Sequence, residues 1–231
     1  MRRLAIGCAI LGILAALVGW YLATRSPDLE LPLLTQEEGG FLVRLAREEI
    51  ASVLSGRGDV SVDGHEVPRA LRRCGAAFVT LTRGPELRGC MIDRFDAHEP
   101  LYRNVLRNAV LAATGDARFS PVTLEEVPSL RIEVSILGPL GPLRFRSPDE
   151  LAERLVPGRD GVLLTTEVGR STFLPQVWRE YPDPATFLSR LCEKQGASAD
   201  RWCKSPPVRV EVYRATVVSE EGAEGAIPGT P

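Results

Sequence analysis

Short apolar runs with the two-residue period of a half-buried strand recur along this chain, without a regular alternation with helix-period segments. That order constrains the fold more than any other feature, because a doubly wound parallel sheet needs a helical crossover between successive strands. Within residues 130–137, Ile132, Val134 and Ile136 share one face, and Arg131, Glu133 and Ser135 share the other. Val208, Val210 and Val212 alternate with Arg209, Glu211 and Tyr213 in a terminal strand over 208–214. Residues 76–81, 87–95, 162–166 and 171–174 supply the remaining strands. Between them lie four helical segments. The box Thr35-Gln36-Glu37-Glu38 opens a helix carrying Leu42, Leu45, Ala46, Ile50, Val53 and Leu54, which Gly56 stops. Pro100 opens a second, closed by Gly115, and Ser147-Pro148-Asp149-Glu150 opens a third that runs to Val156. Asp183-Pro184 caps a fourth, with Phe187, Leu188 and Leu191 on its apolar face and Gly196 at its end. The expected class is α+β, with largely antiparallel sheets and flanking helices.

The first residues add a membrane expectation. Residues 4–23 hold no charged side chain and would span about 30 Å as a helix. Trp20 and Tyr21 close the run where aromatic rings suit a headgroup interface, and Arg2 and Arg3 precede it. The run is too long for a cleaved signal and lacks a small-residue exit site. Residues 1–27 are therefore expected to form a transmembrane anchor or uncleaved signal, preceding a domain over 28–218 and a disordered tail over 219–231. The charge bias places the domain on the extracytoplasmic side of a single-pass membrane protein.

Composition excludes several classes. The net charge of -2, with no clustered basic stripe, argues against a nucleic-acid partner. There is no Gly-x-Gly-x-x-Gly and no phosphate-cradling Gly-x-x-x-x-Gly-Lys. With only His65 and His98, and no Cys-x-x-Cys, no metal site is expected. Cys74, Cys90, Cys192 and Cys203 permit three full pairings, among which the sequence does not choose. Cys192 shares a helical face with Leu188 and reads as core.

Candidate chemistry gathers around Glu86-Leu87-Arg88-Gly89-Cys90, where a thiol, a guanidinium and a flexible backbone follow a strand. Arg88 can fork onto a carboxylate or phosphate, with Arg118 as a second cation. Those cations would make Cys90 more nucleophilic by lowering its pKa. Glu133, on the polar face of its strand, suits a base or a group that orients an arginine. The opposing reading is an ion-pair network of Arg88, Glu133 and Arg118 with Cys90 as a small buried filler. His98 lies near Cys90 in sequence, but no third group orients a Cys-His pair.

Five runs, in order, carry a family resemblance. They are Phe78-Val79-Thr80-Leu81 followed by Leu87-Arg88-Gly89-Cys90; Asp116-Ala117-Arg118-Phe119-Ser120-Pro121-Val122-Thr123; Glu133-Val134-Ser135-Ile136-Leu137; and Thr172-Phe173-Leu174-Pro175-Gln176-Val177-Trp178. Together they resemble the AMMECR-one domain over nearly all of residues 34–218. The resemblance implies an α+β fold of a larger and a smaller lobe with no established activity. It also implies an association with Memo-like and radical SAM proteins, the AmmeMemoRadiSam set. Gln176 would then add an amide donor at the lobe junction, beside Arg88, Gly89 and Arg118 as ligand-binding residues. The chain departs from the family's Arg-Gly-Cys-Ile-Gly, because Met91 and Ile92 follow Cys90. A β-branched Ile92 would be strained if that position needed a positive φ. A membrane anchor would also part the domain from cytoplasmic partners of that kind. The function expected is a membrane-tethered accessory domain that binds a small molecule or a partner, with cofactors unknown. The alternative is an enzyme or covalent carrier with Cys90 as nucleophile and Glu133 as its assisting carboxylate.

Overall fold

The computed structural model describes residues 33–220. Helix α1 (Gln36–Leu54) begins at the expected capping box. The Glu38 backbone N–H donates to Thr35 Oγ1 at 3.2 Å, and the Thr35 N–H donates to the Glu38 carboxylate at 2.9 Å. Strands β1 (Ala77–Arg83) and β2 (Glu86–Met91) form a hairpin turned at Gly84, whose φ of 57° favours glycine. Helix α2 (Leu101–Thr114) follows, then strand β3 (Arg131–Leu137). The last strand, β8 (Ala215–Ser219), completes an antiparallel sheet in the order β2-β1-β3-β8. On its helix-facing side Val79, Leu81, Ile132, Val134, Ile136 and Val218 pack with Leu42, Ala46 and Ile50 of α1 and Val105 and Ala109 of α2.

The second lobe is inserted whole between β3 and β8. It contains β4 (Gly141–Pro142), helix α3 (Pro148–Arg154), β5 (Gly161–Thr165), β6 (Arg170–Phe173), helix α4 (Pro184–Lys194) and β7 (Arg209–Tyr213). Its sheet runs β4-β7-β5-β6, again antiparallel. Val162, Leu164, Val210 and Val212 meet Leu188, Leu191 and Cys192 of α4 in a separate core. There the Trp178 and Phe187 rings stack with centroids 3.8 Å apart. The chain thus crosses between lobes twice, after β3 and at Arg214. The crossings are tied by the Gly138 N–H donating to the Arg214 carbonyl at 2.8 Å.

The expected terminal strand over 208–214 is β7, and a further strand, β8, follows it past Arg214 in the other sheet. The predicted tail over 219–231 begins inside ordered structure. Ser219 ends β8, and the Glu220 carboxylate pairs with Arg47 of α1 at 2.6 Å. Residues 221–231 lie outside the described range.

The membrane part of the fold class is corrected. The proposed span over residues 4–23, and the anchor over 1–27, lie outside the described residues. Among the described residues no helix is long and apolar enough to cross a membrane. Even the 19-residue α1 carries a charged face, with Glu37, Arg44 and Glu48 exposed. The α+β class with antiparallel sheets and flanking helices stands; the spanning helix and the single-pass extracytoplasmic placement do not.

Candidate functional site

Sheet register builds the site. Thr80 of β1 opposes Cys90 of β2 on one side and Glu133 of β3 on the other, and Glu133 opposes Ser219 of β8. Directly opposed residues in antiparallel strands project to the same face. Cys90, Thr80, Glu133 and Ser219 therefore form a polar row on the face turned away from the helices, and the inserted lobe packs against that face. Phe78, Leu137 and Tyr213 make the apolar part of the seam, with Phe95 edge-on to Phe78 at 5.9 Å. Tyr213 packs against Gly161, where a Cβ would come within 2.3 Å of its ring. From the inserted lobe, Gln176 Nε2 donates to Ser135 Oγ at 3.1 Å and to Glu133 Oε1 at 3.3 Å. Gln176 Oε1 is buried without a hydrogen-bond partner. The 3-10 turn bearing Gln176 (Pro175–Arg179) is pinned by Trp178, whose indole N–H donates to the Asp160 carbonyl at 2.7 Å.

Cys90 is half-buried at one end of this row. The Thr80 hydroxyl donates to its sulfur at 3.3 Å. Strand β2 is an edge strand, so its outward backbone groups need partners from elsewhere. The 116–118 turn supplies them: the Cys90 N–H donates to Asp116 Oδ2 at 2.9 Å, and Arg118 Nη2 reaches the Cys90 carbonyl at 3.5 Å. Arg118 also grips Asp116 in a fork, Nε to Oδ1 at 2.9 Å and Nη2 to Oδ2 at 2.6 Å. The guanidinium, helped by the backbone donors, holds the Asp116 carboxyl down to about 2. Burial pushes the Cys90 thiol pKa up, against the smaller lowering effects of the Thr80 hydroxyl and the charges of Arg118 and Lys194.

Lys194, the last residue of α4, comes to the same place from the other lobe. Its stem is exposed, but Nζ reaches inward to donate to the Thr172 carbonyl at 2.9 Å and lies 5.0 Å from the Phe173 ring centroid. Desolvation lowers its pKa, and the charges of Cys90, Arg118 and Asp116 all act on it. Thr172 Oγ1 sits 2.8 Å from the Tyr213 hydroxyl, and Tyr213 packs beside Cys90.

The structure brings some of the expected site residues together and separates others. Arg118 lies beside Cys90. Glu133 shares the sheet face with Cys90 but stands two strand spacings away, about 10 Å, where Gln176 engages it. Arg88 is elsewhere. The register shifts between Leu81 and Thr82, so Arg88 falls in the irregularity and turns to Glu126, Nε to Oε1 at 3.1 Å. It lines an open depression with Arg83, Phe119 and Ser120; a second depression lies between α1 and residues 60–66, and neither includes Cys90. Gly89 faces the helices: a Cβ there would sit 1.9 Å from the Ala112 carbonyl oxygen, so its part is close packing of α2 on β2. His98 turns to its own loop, Nδ1 lying 3.0 Å from the Asp96 carbonyl. Ile92 escapes the feared strain, because among the described residues only glycines have positive φ. Cys74, Cys90, Cys192 and Cys203 are all unpaired, and no metal-holding group of His, Cys, Asp or Glu occurs among the described residues.

Three seam residues carry no local signal of their position. Thr80 reads as an ordinary strand threonine. Asp116 reads as a loop residue, although its Asp-x-Arg spacing is what lets one side chain grip the other. Lys194 reads as a cation suited to a helix C-terminus, 104 residues from the thiol it faces.

Comparison with known proteins agrees with the fold. The AMMECR1 family model matches residues 43–218. Protein MK0488 of Methanopyrus kandleri is 39% identical over 199 residues, covering 84% of this chain and 94% of that protein. Protein MJ0810 of Methanocaldococcus jannaschii is 39% identical over 198 residues, covering 84% and 96% respectively. Among solved structures, the crystal structure of uncharacterized protein PH0010 from Pyrococcus horikoshii aligns with a TM-score of 0.75 and 33% identity, over 83% of this chain and 96% of that one. The chain belongs to the AMMECR1 family.

Proposed function

We propose that this chain is a binding module that takes a small molecule at the lip of the interlobe seam, where Cys90, Arg118 and Lys194 reach solvent, without chemical turnover. One observation carries the reading. The Cys90 sulfur accepts from the Thr80 hydroxyl, and burial pushes its pKa up. A nucleophilic cysteine needs the opposite, a thiolate present near neutral pH. The polar row on the sheet and the unpartnered Gln176 oxygen suit recognition, since buried polar groups beside a ligand set its orientation.

The test is an NMR titration of the protein with a library of small amide-, hydroxyl- and carboxylate-bearing fragments. Backbone shifts are expected to cluster on Thr80, Cys90, Arg118, Thr172 and Lys194, and to persist in Cys90→Ser. Shifts confined to the Arg88 depression would move the site away from the seam. Loss of every response in Cys90→Ser, with rapid alkylation of Cys90 near neutral pH, would favour the nucleophile. That second reading draws on the two cations whose charges act on the sulfur.

A further inference from the structure

The lip of the seam has an electrostatic asymmetry that the fold alone does not require. On the first lobe, the basic side chain beside Cys90, Arg118, is answered by the Asp116 carboxylate. Lys194, from the inserted lobe, is not answered in this way. Its ammonium donates to a backbone carbonyl and rests against the Phe173 ring, and it pairs with no carboxylate among the described residues. A surface lysine without a partner normally extends its charge into water, where hydration is strongest. Here the ammonium turns back onto the Thr172 carbonyl, near enough for its charge to act on Arg118 and Cys90. Arg118 and Lys194 come from different lobes, and Asp116 neutralises only one of them, so the lip carries a net positive charge.

We infer that the lip is an oxyanion-binding subsite, in which Lys194 of the inserted lobe and the outer edge of the Arg118 guanidinium hold a carboxylate or phosphate of the ligand above Cys90. This deepens the binding reading and rests on it. Arg118 keeps its Asp116 fork and its contact with the Cys90 carbonyl, and its side chain is 52% exposed, leaving N–H donors open to solvent. Lys194 supplies a rotatable point charge rather than a planar fork. The site would thus recognise charge from one lobe and geometry from the other. An anion held there would also link the lobes beyond the Gln176 contact.

The thiol itself can report this. Cys90 in the full-length protein is alkylated at about pH 7.5 with iodoacetate, which is anionic, and with iodoacetamide, which is neutral. Labelling is resolved by peptide mass spectrometry, because Cys74 and Cys203 are exposed and label too. N-acetylcysteinamide is the reference thiol. The iodoacetate-to-iodoacetamide rate ratio at Cys90 is expected to exceed the reference about threefold, the effect of one net charge at several ångströms in a largely aqueous setting. Lys194→Gln returns the ratio to the reference, and Lys194→Arg keeps it high. Inorganic phosphate or acetate slows iodoacetate labelling saturably against chloride at equal ionic strength, and the one effective at lower concentration identifies the oxyanion. A reference-like ratio, a ratio unchanged in Lys194→Gln, or no saturable protection overturns the subsite while leaving the seam reading intact. Failure of both reagents to reach Cys90 removes the seam reading as well.

Discussion

Replacing Asp116 by asparagine isolates the interaction that positions Cys90. The aspartate side chain is only 5% exposed, and it accepts from the Cys90 backbone N–H while gripping Arg118 at 2.6 Å. Its carboxyl is lowered from 3.8 to about 2 in the fold. At about 1.4 kcal/mol per decade, that difference corresponds to roughly 2.5 kcal/mol of stability at neutral pH. The sign follows from the depressed folded value. The contribution is complete above the unfolded pKa and disappears as pH falls through the folded one. About half is left at pH 3, and roughly 0.4 kcal/mol at pH 2. The substituted amide keeps an acceptor oxygen but no charge, and Arg118, being half exposed, finds water instead. Asp116→Asn is therefore expected to lose about 2 kcal/mol at pH 7 in urea unfolding, with the gap from wild type closing between pH 4 and pH 2. A gap of the same size at both ends of that range would show that the loss is steric and not ionic, and the electrostatic account of the edge cap would fail.

Three further outcomes follow from particular contacts. Gly89→Ala drives a methyl to within 1.9 Å of the Ala112 carbonyl oxygen, so α2 must shift off β2; a loss of at least about 2 kcal/mol in thermal or urea unfolding is expected, and a neutral effect would mean that this packing is loose. Thr80→Val removes the donor that favours the Cys90 thiolate; the pH midpoint of Cys90 alkylation should move upward, and an unchanged midpoint would remove the Thr80–sulfur hydrogen bond from the account. Glu49, only 3% exposed, has its pKa raised chiefly by burial, partly opposed by the Val60 N–H. A carboxyl raised in this way favours the fold when protonated, and that contribution is lost as pH rises from 4.5 through the folded value. Glu49→Gln should accordingly be neutral or stabilising at pH 7, with the difference fading below about pH 4.5; strong destabilisation at pH 7 would refute the burial argument.

Much of the fold was legible because each element is shaped by nearby residues. The hydroxyl caps at Thr35 and Ser147 reach only three residues, and each places a helix start correctly. The alternation of Ile132, Val134 and Ile136 with Arg131, Glu133 and Ser135 identifies the core face of β3. The same pattern was silent about the other face. Ser135 is fully buried, and what buries it is an inserted lobe contributed by residues that follow in the chain. The site divided along the same line. The run from Arg88 to Cys90 looks like one constellation in sequence, yet one register shift sends Arg88 to Glu126 and leaves Cys90 in the seam. Arg118 could be named because its motif is compact. Lys194 could not, since nothing within α4 reveals which carbonyl its ammonium meets.

The insertion explains why the seam is the place to look for function. The first lobe's helix-facing core is complete without the second, and the second lobe has its own core around Trp178 and Phe187. Neither lobe needs a polar interface to fold, and apolar contact through Phe78, Leu137 and Tyr213 would suffice to join them. The polar row from Cys90 to Ser219 nevertheless lies along the junction, with Gln176 left one partner short. Buried polar groups cost free energy when incompletely matched, so a junction built only for cohesion would shed them. Two crossings, at Gly138 and Arg214, are where a small change of lobe angle would act on this row. An occupant at the lip, touching Arg118 on one side and Lys194 on the other, would bias that angle through its contacts with both lobes.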